Sequence, residues 1–263
     1  MTHHEFGSGP WTSMPSESPV DVGIPRLVLM PAYNEASHIA AAVQAVRTLA
    51  PGFLPVVIDD GSLDDTGAIA TRSGAFVLTH PFNLGYGAAL QTGYHFALRR
   101  RAELIVQLDA DGQHDPADIT ALISPIVKEE LDLVIGSRFL DPDGYPESRA
   151  RRLARLILKR VGGSFGVSIT DLTSGFQAMN RRVLVCYTGE FFPADYPDAD
   201  VLVRAKRHGL RIGERPVTMR SADRPSRLFI GLAPVYYFYR LALALWARDR
   251  SADHLKTREG DRG

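Results

Sequence analysis

From Arg26 onward, short apolar runs with strand character alternate with longer segments of helical period. Leu27 to Met30, Val56 to Asp59, Phe76 to Thr79, Leu104 to Leu108 and Leu133 to Ile135 read as strands. Ala36 to Ala50, Asp64 to Ser73, Tyr86 to Arg100 and Pro116 to Lys128 read as the helices between them, the last with a proline just inside its start. Strands that are apolar throughout and separated by helices predict an α/β fold with a mostly parallel sheet covered by helices on both faces. In such sheets ligands gather beyond the carboxyl ends of the strands, so the residues that follow each strand carry the functional information.

Those residues are, in order, Pro31-Ala32-Tyr33-Asn34-Glu35, Asp59-Asp60-Gly61-Ser62, His80-Pro81-Phe82-Asn83-Leu84-Gly85, Asp109-Ala110-Asp111-Gly112-Gln113-His114 and Gly136-Ser137-Arg138. Strands that only pack do not need so many polar groups at one rim. Asp109 and Asp111 directly follow an apolar strand, and residues two apart in an extended segment face the same way. Two carboxylates on one side repel unless a cation stands between them. Mg²⁺ or Mn²⁺ suits oxygen ligands of this kind, and Mg²⁺ is typically held by one or two carboxylates together with substrate phosphates. The competing reading is that one of the two caps the helix near Pro116 and the other serves a turn. Asp60 is placed to accept an N–H from a nucleobase, with an N-cap role as the alternative for Asp59, Asp60 or Ser62. Glu35 opens the first helix, where it can meet a ribose hydroxyl.

The motifs Pro-Ala-Tyr-Asn-Glu, Val-Ile-Asp-Asp-Gly-Ser, Asn-Leu-Gly-Tyr-Gly, Asp-Ala-Asp-Gly-Gln-His, Ile-Gly-Ser-Arg and Thr-Ser-Gly-Phe resemble, in order and spacing, the family 2 glycosyltransferases with a GT-A fold. The nearest branch is that of dolichol-phosphate mannose synthases and related polyprenyl-phosphate hexosyltransferases. The resemblance spans roughly Arg26 to Met219. It implies inverting transfer of a hexosyl group from a UDP- or GDP-sugar to a dolichyl or undecaprenyl phosphate, with Mg²⁺ or Mn²⁺ as cofactor. It puts the nucleotide on Pro31, Tyr33, Glu35 and Asp60, and the metal and diphosphate at Asp109 and Asp111 with Gln113 beside them. Asp111, Gln113 and Arg138 would then serve the reaction, and Arg138 and Arg151, with Arg152 adjacent, would hold the acceptor phosphate. His114 falls beside the metal rather than in the role of a base.

Beyond Gly136 the alternation stops. A basic helix is expected over about Ser148 to Val161, then a Gly-rich link, the Thr170 to Phe176 segment, a helix over Tyr196 to His208 closed by Gly209, and a strand over Arg211 to Met219. This second half would be the acceptor side. The 263 residues carry 30 basic and 30 acidic side chains, so no global charge draws the chain to nucleic acid and charge arguments are local. Charge is concentrated at Arg149, Arg151, Arg152, Arg155, Lys159 and Arg160, against the single acid Glu147. With Leu153, Leu156, Ile157, Leu158 and Val161 they make an amphipathic basic helix suited to an anionic membrane surface.

Residues 221–247 include the apolar, aromatic-rich stretch Leu228 to Trp246. The 12 residues from Val235 to Trp246 fall short of the roughly 20 needed to span, so an interfacial helix is expected, with a core helix docked on the sheet as the alternative. Together these features predict a cytoplasmic protein attached peripherally to the inner membrane face. Residues 1–25, with Pro10, Pro15, Pro19 and Pro25, and residues 248–263 read as disordered tails without a secretory signal. The single cysteine, Cys186, sits in an apolar run and reads as a buried core thiol of a protein in a reducing compartment. Three other functions remain to be weighed. A sugar-hydroxyl acceptor would require a carboxylate base, for which Asp171 is the candidate. A nucleotide-sugar-binding protein without turnover could use the same rim, but the presence together of Asp109, Asp111 and Gln113 argues against it. A sugar-1-phosphate nucleotidyltransferase would need a basic Gly-rich loop after the first strand, and Pro31 to Glu35 is not one.

Overall fold

The computed structural model describes residues 26–141, 149–189, 192–193, 197 and 199–219. The two predicted tails and the predicted interfacial region at 221–247 lie outside the described residues. Among the described residues the chain forms β1 (Arg26–Ala32), α1 (Ile39–Leu49), β2 (Phe53–Asp59), α2 (Thr66–Arg72), β3 (Phe76–Thr79), α3 (Tyr86–Arg99), β4 (Leu104–Gln107), α4 (Ile119–Val127), β5 (Leu133–Ser137), α5 (Arg149–Ser164), β6 (Gln177–Asn180), α6 (Arg181–Tyr187), α7 (Ala199–Arg207) and β7 (Ile212–Pro216).

The seven strands form one sheet in the order β3-β2-β1-β4-β6-β5-β7. β6 alone runs antiparallel, inserted between β4 and β5. The alternation of side chains across the pleat builds two cores. Val28, Met30 and Val57 pack with α1, α2 and α4 on one face, and Leu27, Leu29, Val56 and Ile58 pack with α3, α5, α6 and α7 on the other. The mostly parallel, doubly covered sheet expected from the alternation is what forms.

Several local expectations differ. The helix expected from Ala36 begins at Ile39, because the amides of His38 and Ile39 both donate to the Glu35 carbonyl and close a turn first. The supposed Gly-rich link lies inside α5: a Cβ on Gly162 would sit 3.1 Å from Leu172 Cδ1, so the glycine is a packing contact and not a break. β6 and α6 carry too few β-branched or periodic residues to stand out in the sequence, although the Asn180 side chain caps α6 by accepting from the amides of Arg182 and Val183. Cys186 is only partly buried, packed against the α3–α7 core from the edge of α6.

At the end of the sheet away from the rim, Asp132 joins three elements. Its fully buried carboxylate accepts from Arg211 Nε at 3.1 Å and backbone N at 2.9 Å, from Asn180 Nδ2 at 2.9 Å and from Arg182 at 3.1 Å. Burial alone would raise this carboxyl. The bonds from Arg211, then Asn180 and Arg182, outweigh it and hold Asp132 far below the usual carboxylate range. Both arginines reach solvent, which reduces the energetic value of the pair. Asp132→Asn is expected to cost about 2 to 3 kcal/mol at pH 7 in denaturant unfolding. A folded-state pKa below the unfolded value gives stability that is present above pH ~4 and lost as pH falls further, so the difference between wild type and variant should shrink in acid.

Candidate active site

The strand order reverses between β1 and β4, where ligand crevices form in open α/β sheets. β1 delivers Pro31, buried and paired with Ile58, and then Tyr33, half-buried in the following loop. Asn34 takes the left-handed conformation (φ 56°) and laces this loop to the next. Its backbone N donates to Ser62 Oγ at 3.0 Å, and its side-chain oxygen accepts from Leu63 N at 2.8 Å. Glu35 N donates to Thr66 Oγ1, while the Glu35 carboxylate meets His38 Nδ1 at 2.9 Å.

The two acids after β2 are both engaged within the protein. Asp59 accepts from Ser62 N at 3.0 Å and shapes the turn. Asp60, 3% exposed, accepts from Leu84 N and Gly85 N at 2.9 Å each and meets His80 Nδ1 at 2.7 Å. His80 in turn bonds Thr92 Oγ1 at 2.9 Å. Asp60 is therefore first of all a clamp on the Asn83-Leu84-Gly85 loop. A nucleobase N–H can be accepted only at the second lone pair of Oδ2.

β4 ends at Gln107, so Asp109 and Asp111 do not share a face of an extended strand. Asp109 follows the strand and Asp111 lies in the turn beyond it. The capping alternative falls to another residue, because Asp115 accepts from Ala117 N at 3.0 Å and caps the helical turn at Pro116. Asp111 instead accepts from Gln113 N at 3.0 Å and from the Gln113 side-chain amide. Asp109 accepts from Tyr86 OH at 2.8 Å, and its backbone N donates to His114 Nδ1 at 3.2 Å. Burial raises the Asp109 carboxyl, the Tyr86 hydrogen bond and the Arg138 charge lower it, and Glu35 raises it again, which places Glu35 in the same electrostatic field as the metal candidates. Among the described residues no three His, Cys, Asp or Glu side chains stand close enough to hold an ion unaided. The donor set of Asp109, Asp111 and the Gln113 carbonyl, all hard oxygens, fits Mg²⁺ or Mn²⁺ that takes its remaining ligands from substrate phosphate.

His114 is buried against Phe176, with ring centroids 5.0 Å apart, and its Nε2 has no hydrogen-bond partner. Burial pushes its pKa down to about 4, Arg138 adding to this and Asp111 and Asp171 opposing it. A neutral ring that accepts at Nδ1 carries its proton on Nε2 and supports the backbone of Asp109.

Beyond the end of β5, Arg138 and Asp171 are each other's partner. Arg138 Nε lies 2.6 Å from Asp171 Oδ2 and NH2 lies 2.7 Å from Oδ1, with a further bond to Thr173 Oγ1 at 3.0 Å. The residue expected to bind an acceptor phosphate and the residue considered as a base for a hydroxyl acceptor thus form one bidentate pair. Arg152 is exposed on α5, and the Arg151 side chain lies outside the described residues. Arg155 stacks 4.3 Å from the Phe139 ring, which also lies 5.3 Å from Arg138, joining α5 to the end of β5. After β7 the chain crosses this rim, with Thr218 N on Asp118 at 2.7 Å and Met219 bridged to His114. Tyr86, Gln107 and His80 also shape the site, and no role for them is expected from the sequence. Tyr86 stood within the Asn-Leu-Gly-Tyr-Gly motif, and the other two have no local signal beyond their strand-end positions.

Residues 27–188 match the family model for glycosyl transferase family 2. The chain belongs to that family. It is 32% identical over 215 residues to the polyprenol monophosphomannose synthase of Mycolicibacterium smegmatis, covering 75% of this chain and 78% of that protein. It is 31% identical over 204 residues to the undecaprenyl-phosphate mannosyltransferase of Micrococcus luteus, covering 73% and 82%. Glucosyl-3-phosphoglycerate synthase from Mycobacterium tuberculosis, solved with Mn²⁺, UDP and glucosyl-3-phosphoglycerate, superposes with a TM-score of 0.69 at 22% identity over 87% of this chain and 82% of that one. That likeness establishes the GT-A fold.

In this glycosyltransferase the Asp60 clamp makes a direct test. Asp60→Asn turns an amide NH₂ toward one of the loop donors, so it should lower the denaturant midpoint by an amount equivalent to about 2 kcal/mol. An unchanged midpoint would show that the loop is held by other means.

Proposed function

We propose that the enzyme transfers a hexosyl group, with inversion, from a UDP- or GDP-sugar to a polyprenyl phosphate at the cytoplasmic face of a membrane. The observation that carries this reading is the surface of α5. Leu153, Leu156 and Ile157 are 61%, 47% and 45% exposed at helical spacing, flanked by exposed Arg152, Lys159 and Arg160. A helix that only docked on the sheet would bury such a stripe, whereas α5 packs on the core through Leu158 and leaves the stripe outside. The names of the relatives support a polyprenyl-phosphate acceptor. No helix among the described residues is long and apolar enough to cross a membrane.

The donor nucleotide lies against Pro31, Tyr33 and Glu35, with Asp60 accepting from the base. Asp109, Asp111 and Gln113 would hold Mg²⁺ or Mn²⁺, which when bound neutralises charge on the departing diphosphate. A phosphate monoester is largely dianionic at pH 7 and attacks the anomeric carbon without a general base. Arg138, with Arg151 and Arg152 from α5, orients it. Arg138 must share its guanidinium between Asp171 and the phosphate or exchange one for the other. A sugar-hydroxyl acceptor is disfavoured by the same pair, since both Asp171 oxygens accept from Arg138, and Arg138 N and Thr173 Oγ1 also donate to them.

Mass spectrometry of products from a panel of nucleotide sugars and a short-chain polyprenyl phosphate tests the reaction. Asp109→Ala and Asp111→Ala should each lower turnover at least ~100-fold, and EDTA should abolish it in wild type. Activity that survives EDTA would remove the metal from the mechanism.

The membrane surface is tested by sedimentation with anionic vesicles. Replacing Leu153, Leu156 and Ile157 by serine should leave weak binding that salt dissociates, and replacing Arg152, Lys159 and Arg160 by glutamine should leave weaker binding that depends less on salt than that of wild type. Wild type remaining in the supernatant at low salt would contradict a lipid acceptor reached through α5.

A further inference from the structure

The geometry points to Tyr86 as a positioning residue for Asp109, held in donor polarity by a buried chain through Gln107 and Tyr94. The inference rests on the reading of Asp109 as part of the cation-binding pole. Tyr94, 1% exposed, donates from its phenol to Gln107 Oε1, and burial keeps that phenol protonated by raising its pKa far above the ordinary value. Gln107, 2% exposed, has its Oε1 thus committed and turns Nε2 to the Tyr86 oxygen at 3.2 Å. A hydroxyl that accepts from an amide and stands 2.8 Å from a carboxylate directs its own proton to the carboxylate, here Asp109 Oδ1.

The other side of Asp109 is fixed by backbone. A Cβ on Gly175 would lie 2.8 Å from Asp109 Oδ2 and 3.1 Å from the Tyr86 oxygen, so the carboxylate is seated between a phenol and a glycine that leaves it room. Tyr86 is itself the first residue of α3, and the loop that delivers it is the one Asp60 clamps through Leu84 N and Gly85 N. Partners that orient a metal ligand typically set metal affinity by about tenfold or more.

Mn²⁺ alone, titrated into the full-length protein and followed by the electron paramagnetic resonance of the free ion, tests this without turnover. Tyr86→Phe keeps the ring and removes only the donor. It should raise the Mn²⁺ dissociation constant about tenfold while the melting temperature stays within a few degrees of wild type. Gly175→Ala, which crowds the same carboxylate from the opposite side, should shift affinity in the same direction. It decides the matter if Tyr86→Phe proves unstable. Asp109→Asn combined with Tyr86→Phe should bind no more weakly than Asp109→Asn alone. Wild-type Mn²⁺ affinity in Tyr86→Phe, alongside loss in Asp109→Asn, would overturn the role of Tyr86 and leave Asp109 as a ligand. Wild-type affinity in Asp109→Asn would remove the ligand assignment and the inference with it.

Discussion

Negative charge gathered where the strand order reverses is the constraint around which this molecule is arranged. Asp109 and Asp111 follow the strand on one side of the reversal, and Glu35 follows the strand on the other. Such a group persists at a protein rim only if each carboxylate is individually held and the residual field is turned to use. The surrounding structure meets the first condition in a different way for each acid. Tyr86 donates to Asp109, the amide groups of Gln113 donate to Asp111, and His38 meets Glu35. Arg138, a nearby cation, is balanced by Asp171 and does not discharge the pole. His114, buried and neutral, adds no positive charge. The remaining field suits a divalent ion carrying a diphosphate, which is the electrostatic basis for reading the site as that of a nucleotide-sugar-dependent transferase.

Loops can be placed this accurately because buried polar bonds fasten them to a rigid sheet. Asp60 and Asn34 tie the loops after β1, β2 and β3 into one rim, while Asp132 locks β5, β6 and β7 at the opposite end. Each of these carboxylates or amides is satisfied several times over, as low-dielectric surroundings demand. The end of β5 follows the same principle through the Arg138–Asp171 ion pair. Arg138 and Asp171 hold the end of β5 to the Thr170–Thr173 segment, so a ligand that competes for Arg138 also loosens that segment.

The sheet and its first four helices were legible because their period alternates cleanly between two and 3.6. What escaped the sequence has physical reasons. β6 is a four-residue strand without β-branched side chains, made a strand by pairing with Leu104–Gln107 on one side and Leu133–Ile135 on the other, a nonlocal cause with no local trace. Gly162 looked like a helix end and is a contact surface for Leu172. The strand-end residue types were legible, but the bonds they make within the protein were not. Asp60, expected to face a nucleobase, also binds Leu84 N, Gly85 N and His80. Arg138, expected to offer its fork to phosphate, is also paired with Asp171. Groups that bond one another across 20 to 33 residues of chain leave no pattern in a linear reading.

The most direct measurement of the central claim is anomalous difference density from crystals soaked with Mn²⁺ and a nucleoside diphosphate. The account expects a single strong peak coordinated by Asp109 and Asp111, with the diphosphate across the β1–β4 reversal and the nucleoside toward Pro31, Tyr33 and Asp60. A nucleoside diphosphate bound at that rim with no Mn²⁺ peak beside the two aspartates, or a peak held by other residues, would contradict it.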